Sequence, residues 1–584
     1  MKKIIYCYSK NTKLLAFWAV IFVLLQGLSD IAQTIFLFSI TGLLENQKSV
    51  TFSVWHEYWV YLTLVLCFAI VSLIFGMLGS YLGSKSSLQA AKEIRHHAFL
   101  KICHYNFADM DKFGVASLLN RFTNDVTKIQ TTIQMVLTML IKAPILLVGS
   151  LVITFIIQPV IGYIAIGLIL VIITGFFTIW TKVNPLVFKS QKVLDKTNKV
   201  LRENILGMQV VRSFQIEQEQ DKRFNHFSHS LKHLYIKLWI YFALLIPFTA
   251  CVIYVATSCI FLATNTQPSA NGAQIYLCIN LLWMILGAIL IFSMVVINVL
   301  RSRASVKRIV EIFDTNPTIL EKKKPIILDD DALDIEFSNV DFSYKKTTDN
   351  TYVLNDINLK IPQGKMIGII GSTASGKSSL VHLITRLYDT TKGIITIGGH
   401  NIKDISLESL HQKIAIVLQD NFLFSGTIRS NMRLVDEKIT DSEIMELAHI
   451  VCADDFISKQ INGLSSTVDQ RGRNFSGGQK QRLCILRSLI RHPKILILDD
   501  STSALDMMTE AKFQHRIRKA MANTTLIVVA QRISSVENAD QIVVMDKGKI
   551  AAVGKHEDLA KSNKIYRSII LSQLGERGLN NVKN

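Results

Sequence analysis

The sequence predicts a multidomain chain, with an all-α transmembrane domain of six helices followed by a soluble α/β domain. Three observations predict this division. The chain has 584 residues, of which 49% are hydrophobic, which is too apolar for an ordinary soluble protein. The apolar residues fall into blocks before residue 301, whereas short apolar strands alternate with polar helices after residue 335. Residues 366–379 join an apolar strand to a glycine-rich loop and a helix.

Six apolar blocks have the length of membrane spans, since a helix needs about 20 apolar residues to cross the hydrocarbon. Several blocks are longer, so we expect their helices to project beyond the bilayer. In the block 129–157, Gln130, Gln134 and Lys142 indicate that only the later part lies in lipid. The first block is too long for a signal peptide and lacks a small-residue cleavage site. The blocks span roughly 14–44, 58–83, 132–157, 159–181, 239–264 and 273–300.

The net charge of +19 is concentrated in particular segments. Lys and Arg crowd the N-terminus, the segments 84–128 and 182–237, and the exit after residue 300, whereas residues 264–272 carry no charge. This alternation is the positive-inside bias of a membrane protein. It predicts cytoplasmic termini and a cytoplasmic soluble half, with anionic lipid attracted to the basic segments. We find no basic and aromatic stripe, so we expect no nucleic-acid partner.

Residues 371–378 have the pattern Gly-x-x-x-x-Gly-Lys-Ser, which is typical of loops that bind a nucleoside triphosphate. Gly371 and Gly376 let the backbone wrap a phosphate chain with its N–H groups pointing inward. We expect Lys377 to reach the β- and γ-phosphates and Ser378 to bind Mg²⁺. A later apolar strand ends at Asp499, a second predicted magnesium ligand. The predicted nucleotide-binding residues of the loop are Gly371, Ser372, Thr373, Ala374, Ser375, Gly376, Lys377, Ser378 and Ser379.

Four further segments accompany the loop. Asn474–Gln479 reads Asn-Phe-Ser-Gly-Gly-Gln and precedes a predicted helix, Gln419 ends a strand, and Ser503–Asp506 follows the acidic strand. With Tyr344, these residues resemble the nucleotide-binding domain of an ATP-binding cassette (ABC) transporter. The six spans with two long cytoplasmic loops resemble the exporter type, with both domains on one chain. The resemblance implies a transmembrane domain at 1–310, a linker at 311–334, an ABC nucleotide-binding domain at 335–572 and a tail at 573–584.

The resemblance also implies cofactors, ATP and Mg²⁺, and roles for particular residues. Tyr344 would stack on adenine, and Gln419 would touch magnesium and sense the γ-phosphate. Asp506 would belong to the nucleotide-binding residues. The signature would contact the γ-phosphate of ATP held by a second subunit, and it consists of Ser476, Gly477, Gly478 and Gln479.

Two segments of the membrane half match recurring patterns of the exporter type's cytoplasmic loops. They are Asn120–Asp125 in the first loop and Arg202–Gly207 in the second. The resemblance implies that such loops carry short coupling helices, the second of which reaches the partner's nucleotide domain. A regular polar segment can also be a solvated helix face.

Two positions depart from the family pattern at the catalytic side. The family has a glutamate after the acidic strand, where this chain has Asp500, and a histidine after the next buried strand, where this chain has Gln531. The aspartate carboxylate is set back by about 1.5 Å, one C–C bond, and a misplacement of about 1 Å can cost on the order of 100-fold in rate. Glutamine can hydrogen-bond a phosphate, but it carries neither a proton to transfer nor a positive charge.

An intact signature beside a weakened loop site is typical of the degenerate subunit of a heterodimeric, multidrug-type exporter. The predicted partner is therefore a second half-transporter that supplies the competent catalytic residues. A homodimer with slow hydrolysis and a nucleotide-gated regulatory or channel-like protein are the alternatives.

Asp30 is the clearest ionisable residue within an apolar block, where charges are costly and often functional. It either attracts a cationic substrate in a cavity, pairs with another helix or lies outside the hydrocarbon. Lys142 is expected to extend toward the cytoplasmic head groups. The expected cargo is a small hydrophobic or amphipathic molecule, and drug, lipid and peptide are all compatible with an apolar cavity.

Overall fold

The computed structural model describes residues 8–46, 52–265, 272–329, 333–344 and 352–581. These residues form two compact units. The membrane unit comprises Met1–Cys103 and Ala116–Thr315, and the nucleotide unit comprises His104–Val115 and Asn316–Asn584. The last membrane-unit helix ends at Asp314, inside the segment predicted as a linker. Inclusion of residues 104–115 in the nucleotide unit was not anticipated from the sequence.

The membrane unit is all-α, and six of its helices are long and apolar enough to cross a membrane. The predicted number of spans is therefore confirmed among the described residues. Each helix has 34 to 48 residues in its candidate span, against the about 20 that cross the hydrocarbon, so each extends beyond it. The six helices are α1 Lys10–Asn46, α2 Phe52–Cys103, α4 Val115–Ile157, α5 Pro159–Leu206, α7 Glu217–Asn265 and α8 Gly272–Asp314.

Two short helices lie between the long ones, α3 Phe107–Phe113 and α6 Met208–Phe214. The segments predicted to have a coupling role, 120–125 and 202–207, do not coincide with these short helices. Residues Arg121–Asp125 form a π-helical turn inside α4, and α5 continues to Leu206 with Gly207 as its C-cap. The predicted segments are therefore parts or ends of long helices, because their polar residues continue the helical pattern of their neighbours. Only α6 directly follows its predicted segment, because residues 114–119 separate α3 from the other one.

Apolar packing between helices builds the core of the membrane unit. A cluster of buried aliphatic residues joins α5, α7 and α8, and Ile161, Ile253 and Leu282 are its typical members. The polar part of α4 also contacts α8, through Arg121 and Asp125. Asp125 accepts hydrogen bonds from Ser305 at 2.7 Å and from Arg308 at 2.7 Å, so it contributes to helix packing within this unit.

The nucleotide unit contains a six-stranded and a four-stranded sheet. The six-stranded sheet has the order β12-β11-β3-β10-β9-β6, parallel except for β12, and the antiparallel sheet has the order β2-β1-β4-β5. A short antiparallel pair joins β7 and β8. The strands are β1 Ile335–Phe342, β2 Leu354–Ile361, β3 Met366–Gly371, β4 Lys392–Ile397, β5 His400–Asn401, β6 Ile414–Val417, β7 Gly426–Thr427, β8 Thr467–Val468, β9 Ile495–Asp499, β10 Thr525–Val529, β11 Gln541–Asp546 and β12 Lys549–Gly554.

Helices cover both faces of the six-stranded sheet, so β3, β9 and β10 are buried along their whole length. Such strands read as continuous apolar runs, and their carboxyl ends meet at one edge, where open α/β sheets bind ligands. The α/β class is confirmed. The helices of this unit after α3 are α9 Lys377–Ile384, α10 Leu407–Lys413, α11 Ile428–Arg433, α12 Asp441–Ile450, α13 Asp454–Ser458, α14 Gly477–Leu489, α15 Met507–Ala520, α16 His556–Ser562 and α17 Lys564–Asn581.

Candidate nucleotide site

A cavity of about 480 Å³ opens at the carboxyl ends of β3, β9 and β10. The structure brings most of the predicted loop residues together around it, along with all three magnesium candidates and both departures from the family pattern. Its lining residues are Tyr352, Val353, Thr373, Ala374, Ser375, Gly376, Lys377, Ser378, Ser379, Gln419, Asp499, Asp500, Val529, Ala530, Gln531, Lys547 and Gly548.

Two glycines allow the loop to bend between β3 and α9. A Cβ on Gly371 would lie 2.2 Å from the Met545 carbonyl oxygen, so no side chain fits there. Gly376 has φ +98° and precedes the first turn of α9, a conformation that residues with a Cβ rarely adopt. The exposed N-terminal amides of α9 and its dipole favour an anion. The buried hydroxyl of Ser375 has no hydrogen-bond partner among the described residues, so the loop has polar capacity left for a ligand.

Lys377 folds back onto its own loop. Its Nζ donates to the carbonyl oxygens of Gly371 at 2.9 Å and Ser372 at 2.8 Å. Burial lowers the pKa of Lys377, although the nearby Asp500 and Asp499 carboxylates oppose this shift. A phosphate chain would give this cation a stronger, charge-assisted partner than the two carbonyls.

Ser378 and Asp499 form a pair suited to a hard metal ion. The Ser378 hydroxyl donates to Asp499 Oδ1 at 3.0 Å, and Asp499 is only 2% exposed. Burial raises the pKa of Asp499, and the neighbouring Asp500 charge adds to that effect. Mg²⁺ commonly uses one or two protein oxygens together with phosphate oxygens, so this donor set fits it. Among the described residues, no group of three or more His, Cys, Asp or Glu side chains forms an all-protein metal site.

His382 approaches the same carboxylate, with Nε2 3.8 Å from Asp499 Oδ2. Burial lowers the pKa of His382, so the imidazole is neutral at pH 7. The contact is therefore not an ion pair at that pH.

Asp500 is bonded to the other departure from the family pattern. Gln531 Nε2 donates to Asp500 Oδ2 at 3.0 Å, and Gln419 Nε2 lies 3.5 Å from the same oxygen. Asp500 has φ 49°, a left-handed backbone conformation, at the end of β9. Burial raises the pKa of Asp500, against the hydrogen bond from Gln531. The carboxylate that would orient a water molecule therefore accepts bonds from two amides.

Tyr344 lies beside the cavity but is not among its lining residues. Its hydroxyl hydrogen-bonds Ser379 Oγ at 2.8 Å, and its ring packs edge-on against Tyr388 with centroids 5.0 Å apart. Tyr352 lines the cavity instead. The adenine-stacking role of Tyr344 stays a prediction.

Several residues at or near the site were missed by the sequence reasoning. Lys547 and Gly548 line the cavity at the turn after β11, and a Gly turn after an apolar strand was the available signal. Tyr388 connects Tyr344 to α3, because its hydroxyl donates to Asp111 at 2.8 Å. Burial and that acceptor raise the pKa of Tyr388 far above its usual range. No local pattern marks this contact, since its partners are far apart in sequence.

The signature occupies the N-terminus of α14. Ser476 Oγ accepts a hydrogen bond from the Gln479 amide at 3.3 Å, and Gln479 Oε1 accepts one from the Ser476 amide at 3.0 Å. This reciprocal capping box fixes the first turn. Asp506 caps α15, where hydrogen bonds from Thr509 lower its pKa. Neither the signature nor Asp506 lines the cavity of this chain.

Asp30 pairs with Lys142 in the membrane unit, with Nζ 2.8 Å from Oδ2. The Ser72 hydroxyl donates to Asp30 Oδ1 at 2.5 Å. Lys142 therefore does not extend away from the helices as expected, because the carboxylate on α1 provides a counter-ion. A cationic substrate would have to displace Lys142 to reach Asp30, so a substrate role for Asp30 stays a prediction.

Comparisons with known families agree with this geometry. The ABC transporter family matches residues 354–503, and the ABC transporter transmembrane region matches residues 16–290. The chain belongs to the ABC transporter family. The transporter is 32% identical over 527 residues to the ABC transporter ATP-binding protein YfiB of Bacillus subtilis, covering 89% of this chain and 90% of that protein. It is 30% identical to the ATP-dependent lipid A-core flippase of Syntrophus aciditrophicus, covering 87% and 84%.

A solved structure shares the fold over nearly the whole transporter. A bacterial Atm1-family ABC exporter with ATP bound covers 97% of this chain and 98% of its own, with a TM-score of 0.80 and 20% identity. The resemblance seen in the sequence is thereby confirmed. The protein is an ATP-binding, multi-pass membrane transporter of the exporter type, with membrane and nucleotide domains fused on one chain.

Proposed function

We propose that this transporter is the degenerate-site subunit of a heterodimeric exporter in a bacterial cell membrane. The hydrogen bond between Asp500 and Gln531 carries this proposal. It joins the two residues that replace the catalytic glutamate and histidine of the family, at the side of the cavity where water would attack. The site then holds ATP and turns it over slowly.

ATP holding rests on the intact part of the cavity. The backbone of the loop and Lys377 bind the phosphates, while Ser378 and Asp499 hold Mg²⁺, which neutralises phosphate charge when bound. Among the described residues, none of these groups is hydrogen-bonded to Asp500 or Gln531. Tight nucleotide binding with slow turnover makes this site a clamp between two subunits.

Hydrolysis occurs at the other site of the heterodimer in this proposal. The signature of this chain is complete and its helix terminus is ordered by the capping box. It would contact ATP held by the partner, whose own loop site is competent. ATP favours the closed form of the nucleotide domains by binding it better than the open form, and closure shifts the membrane domains between inward- and outward-facing states.

A homodimer with slow hydrolysis is the second candidate, since Asp500 retains a carboxylate in the cavity. Turnover by the purified chain separates the two. We expect the chain alone to hydrolyse ATP slowly, and the complex with the product of an adjacent exporter-like reading frame to hydrolyse it much faster. Fast ATP turnover by the chain alone would contradict the heterodimer proposal.

The exported substrate is proposed to be hydrophobic or amphipathic. The helices of the membrane unit expose large apolar and aromatic side chains, such as Phe177 and Trp239. The relative named as a lipid A-core flippase handles an amphipathic cargo, which supports this class.

A further inference from the structure

A second cavity, of about 200 Å³, lies between α5, α7 and α8 within the membrane unit. Its walls are mainly apolar and include Phe176, Trp180, Phe242 and Ile297. Two polar residues complete the lining, Asn298 and Arg301 of α8. The nucleotide chemistry described above uses none of these residues. Apolar walls with a few polar groups are typical of small-molecule sites, where the polar groups fix orientation.

The volume limits what the walls can enclose. Drug-sized ligands occupy pockets of about 300–1,000 Å³, so this cavity takes one apolar group or the end of one hydrocarbon chain. The remainder of such a ligand lies outside the walls. An amphiphile fits this description, with the end of its tail enclosed against Trp180 and Phe242 and the rest of the molecule outside the walls.

The polar residues determine which head group fits. Asn298 and Arg301 are three residues apart on α8, so they share one face of the helix. Asn298 Nδ2 donates to the Met294 carbonyl at 2.9 Å. None of the described residues that line the cavity is acidic, and no ion pair of Arg301 occurs within the described part of the chain. A guanidinium beside apolar walls and without a counter-ion favours an anionic head group.

Basic residues after a span are also expected from topology alone. Arg303, two residues further on, serves that purpose equally well, and both arginines are exposed, but Arg303 does not line the cavity. Arg301 differs from it by position alone. Arg303 therefore provides a matched control of the same charge on the same helix.

We propose that this cavity binds an amphiphile with an anionic head group, its head at Arg301 and its hydrocarbon chain against Trp180. As a transport site the cavity rests on the proposed export function, whereas binding itself does not. The chemistry is shared by single-chain anions and by anionic phospholipids.

Quenching of Trp180 fluorescence tests the proposal without nucleotide. The full chain in phosphatidylcholine nanodiscs is titrated with 12-bromododecanoate and with 12-bromododecyl-trimethylammonium, since bromine quenches indole on contact. The difference between wild type and Trp180→Phe isolates the signal of this tryptophan. We expect half-saturation at about tenfold lower concentration for the carboxylate, the factor that one charge-assisted hydrogen bond provides.

Substitutions on α8 assign the preference. We expect Arg301→Gln to remove it, Arg301→Lys to keep most of it and Arg303→Gln to leave it unchanged. Equal half-saturation for both probes in wild type would overturn the proposal, as would equal losses from Arg301→Gln and Arg303→Gln. If Trp180→Phe does not fold, Trp180→Tyr, which also removes the indole but keeps an aromatic ring with a hydroxyl, supplies the same difference.

A competition arm identifies the source of the ligand. Displacement of 12-bromododecanoate by phosphatidylglycerol in the nanodisc supports the site with bilayer lipid as its source, and lack of displacement supports it with a free single-chain anion. Turnover of ATP is measured separately. Binding without turnover by the complex would contradict the proposed function alone, and turnover without selective quenching would contradict this inference alone.

Discussion

The nucleotide unit has two surfaces that face ATP in this family, and they differ in what they retain. The phosphate loop keeps every group needed for binding, while Asp500 and Gln531 at its catalytic edge bond each other. The signature at the start of α14 keeps both its sequence and its capping box. Backbone amides and one lysine suffice to hold phosphates, whereas hydrolysis depends on two particular side chains. Binding can therefore persist at a site that has lost hydrolysis.

The largest effect is expected when a bulky cation is placed in the signature, and it is compared with removal of a charge at the catalytic edge. In the proposed heterodimer we expect Ser476→Arg to reduce ATP turnover by on the order of 100-fold, because it misplaces the groups at the partner's γ-phosphate. Asp500→Asn should change turnover by less than about twofold, since a site that contributes little loses little. Steady-state phosphate release measures both. Similar losses from the two variants would show that the roles of the surfaces are assigned wrongly.

Restoring the family residues at positions 500 and 531 tests whether these two side chains limit hydrolysis in the cavity of this chain. In a Ser476→Arg complex the partner's site is disabled, so remaining turnover comes from the cavity of this chain. Adding Asp500→Glu and Gln531→His should raise that remaining turnover by on the order of 100-fold, because the carboxylate regains its reach and a protonatable group returns. The matched control adds Asp500→Ala and Gln531→Ala. An unchanged rate would mean that another feature limits this site.

Local patterns predicted the cavity, and long-range contacts escaped prediction. The loop 371–378 and Asp499 were found because a strand, a glycine turn and a helix are contiguous in sequence, and parallel strands bring their ends together. Pairing of Asp30 with another helix was one of the alternatives, but Lys142 was not named as its partner, because long apolar helices do not indicate which faces meet. The short helices α3 and α6 were not predicted, for a related reason. Seven residues are too few to show a helical period beside 48-residue neighbours.

A substitution of Glu510 tests whether this buried residue stabilises the segments next to Asp500 and Gln531. It is 4% exposed, and its Oε1 accepts from Thr502 at 3.1 Å and from Ser535 at 2.5 Å. These partners lie close in sequence to Asp500 and Gln531. Glu510→Ala leaves two buried hydroxyls unsatisfied, which costs about 2 kcal/mol and lowers the melting temperature by roughly 5 °C.

The exposed Glu537 supplies the control for that substitution. We expect Glu537→Ala to change stability by less than about 0.5 kcal/mol. If Glu510→Ala melts like wild type, the contacts of Glu510 do not hold the two segments. If Glu510→Ala lowers stability but leaves the affinity for ATP unchanged, the contacts of Glu510 support the catalytic edge and not the phosphate loop.

Asp499 gives the smallest expected effect and separates folding from metal binding. Its raised folded pKa means that the folded protein binds a proton more tightly than the unfolded chain, so stability falls as pH rises from the ordinary value of 3.8 through the raised one. At neutral pH the buried carboxylate then opposes folding of the nucleotide-free protein. Asp499→Asn removes that charge and can still accept from Ser378, so we expect stabilisation by about 1 kcal/mol, or roughly 2 °C. The same variant should lose the further stabilisation by Mg²⁺ and ATP, because the metal needs the carboxylate. A melting curve without nucleotide that falls instead would show that Asp499 stabilises the fold as an anion, and the phosphate loop would then depend on its carboxylate even for binding.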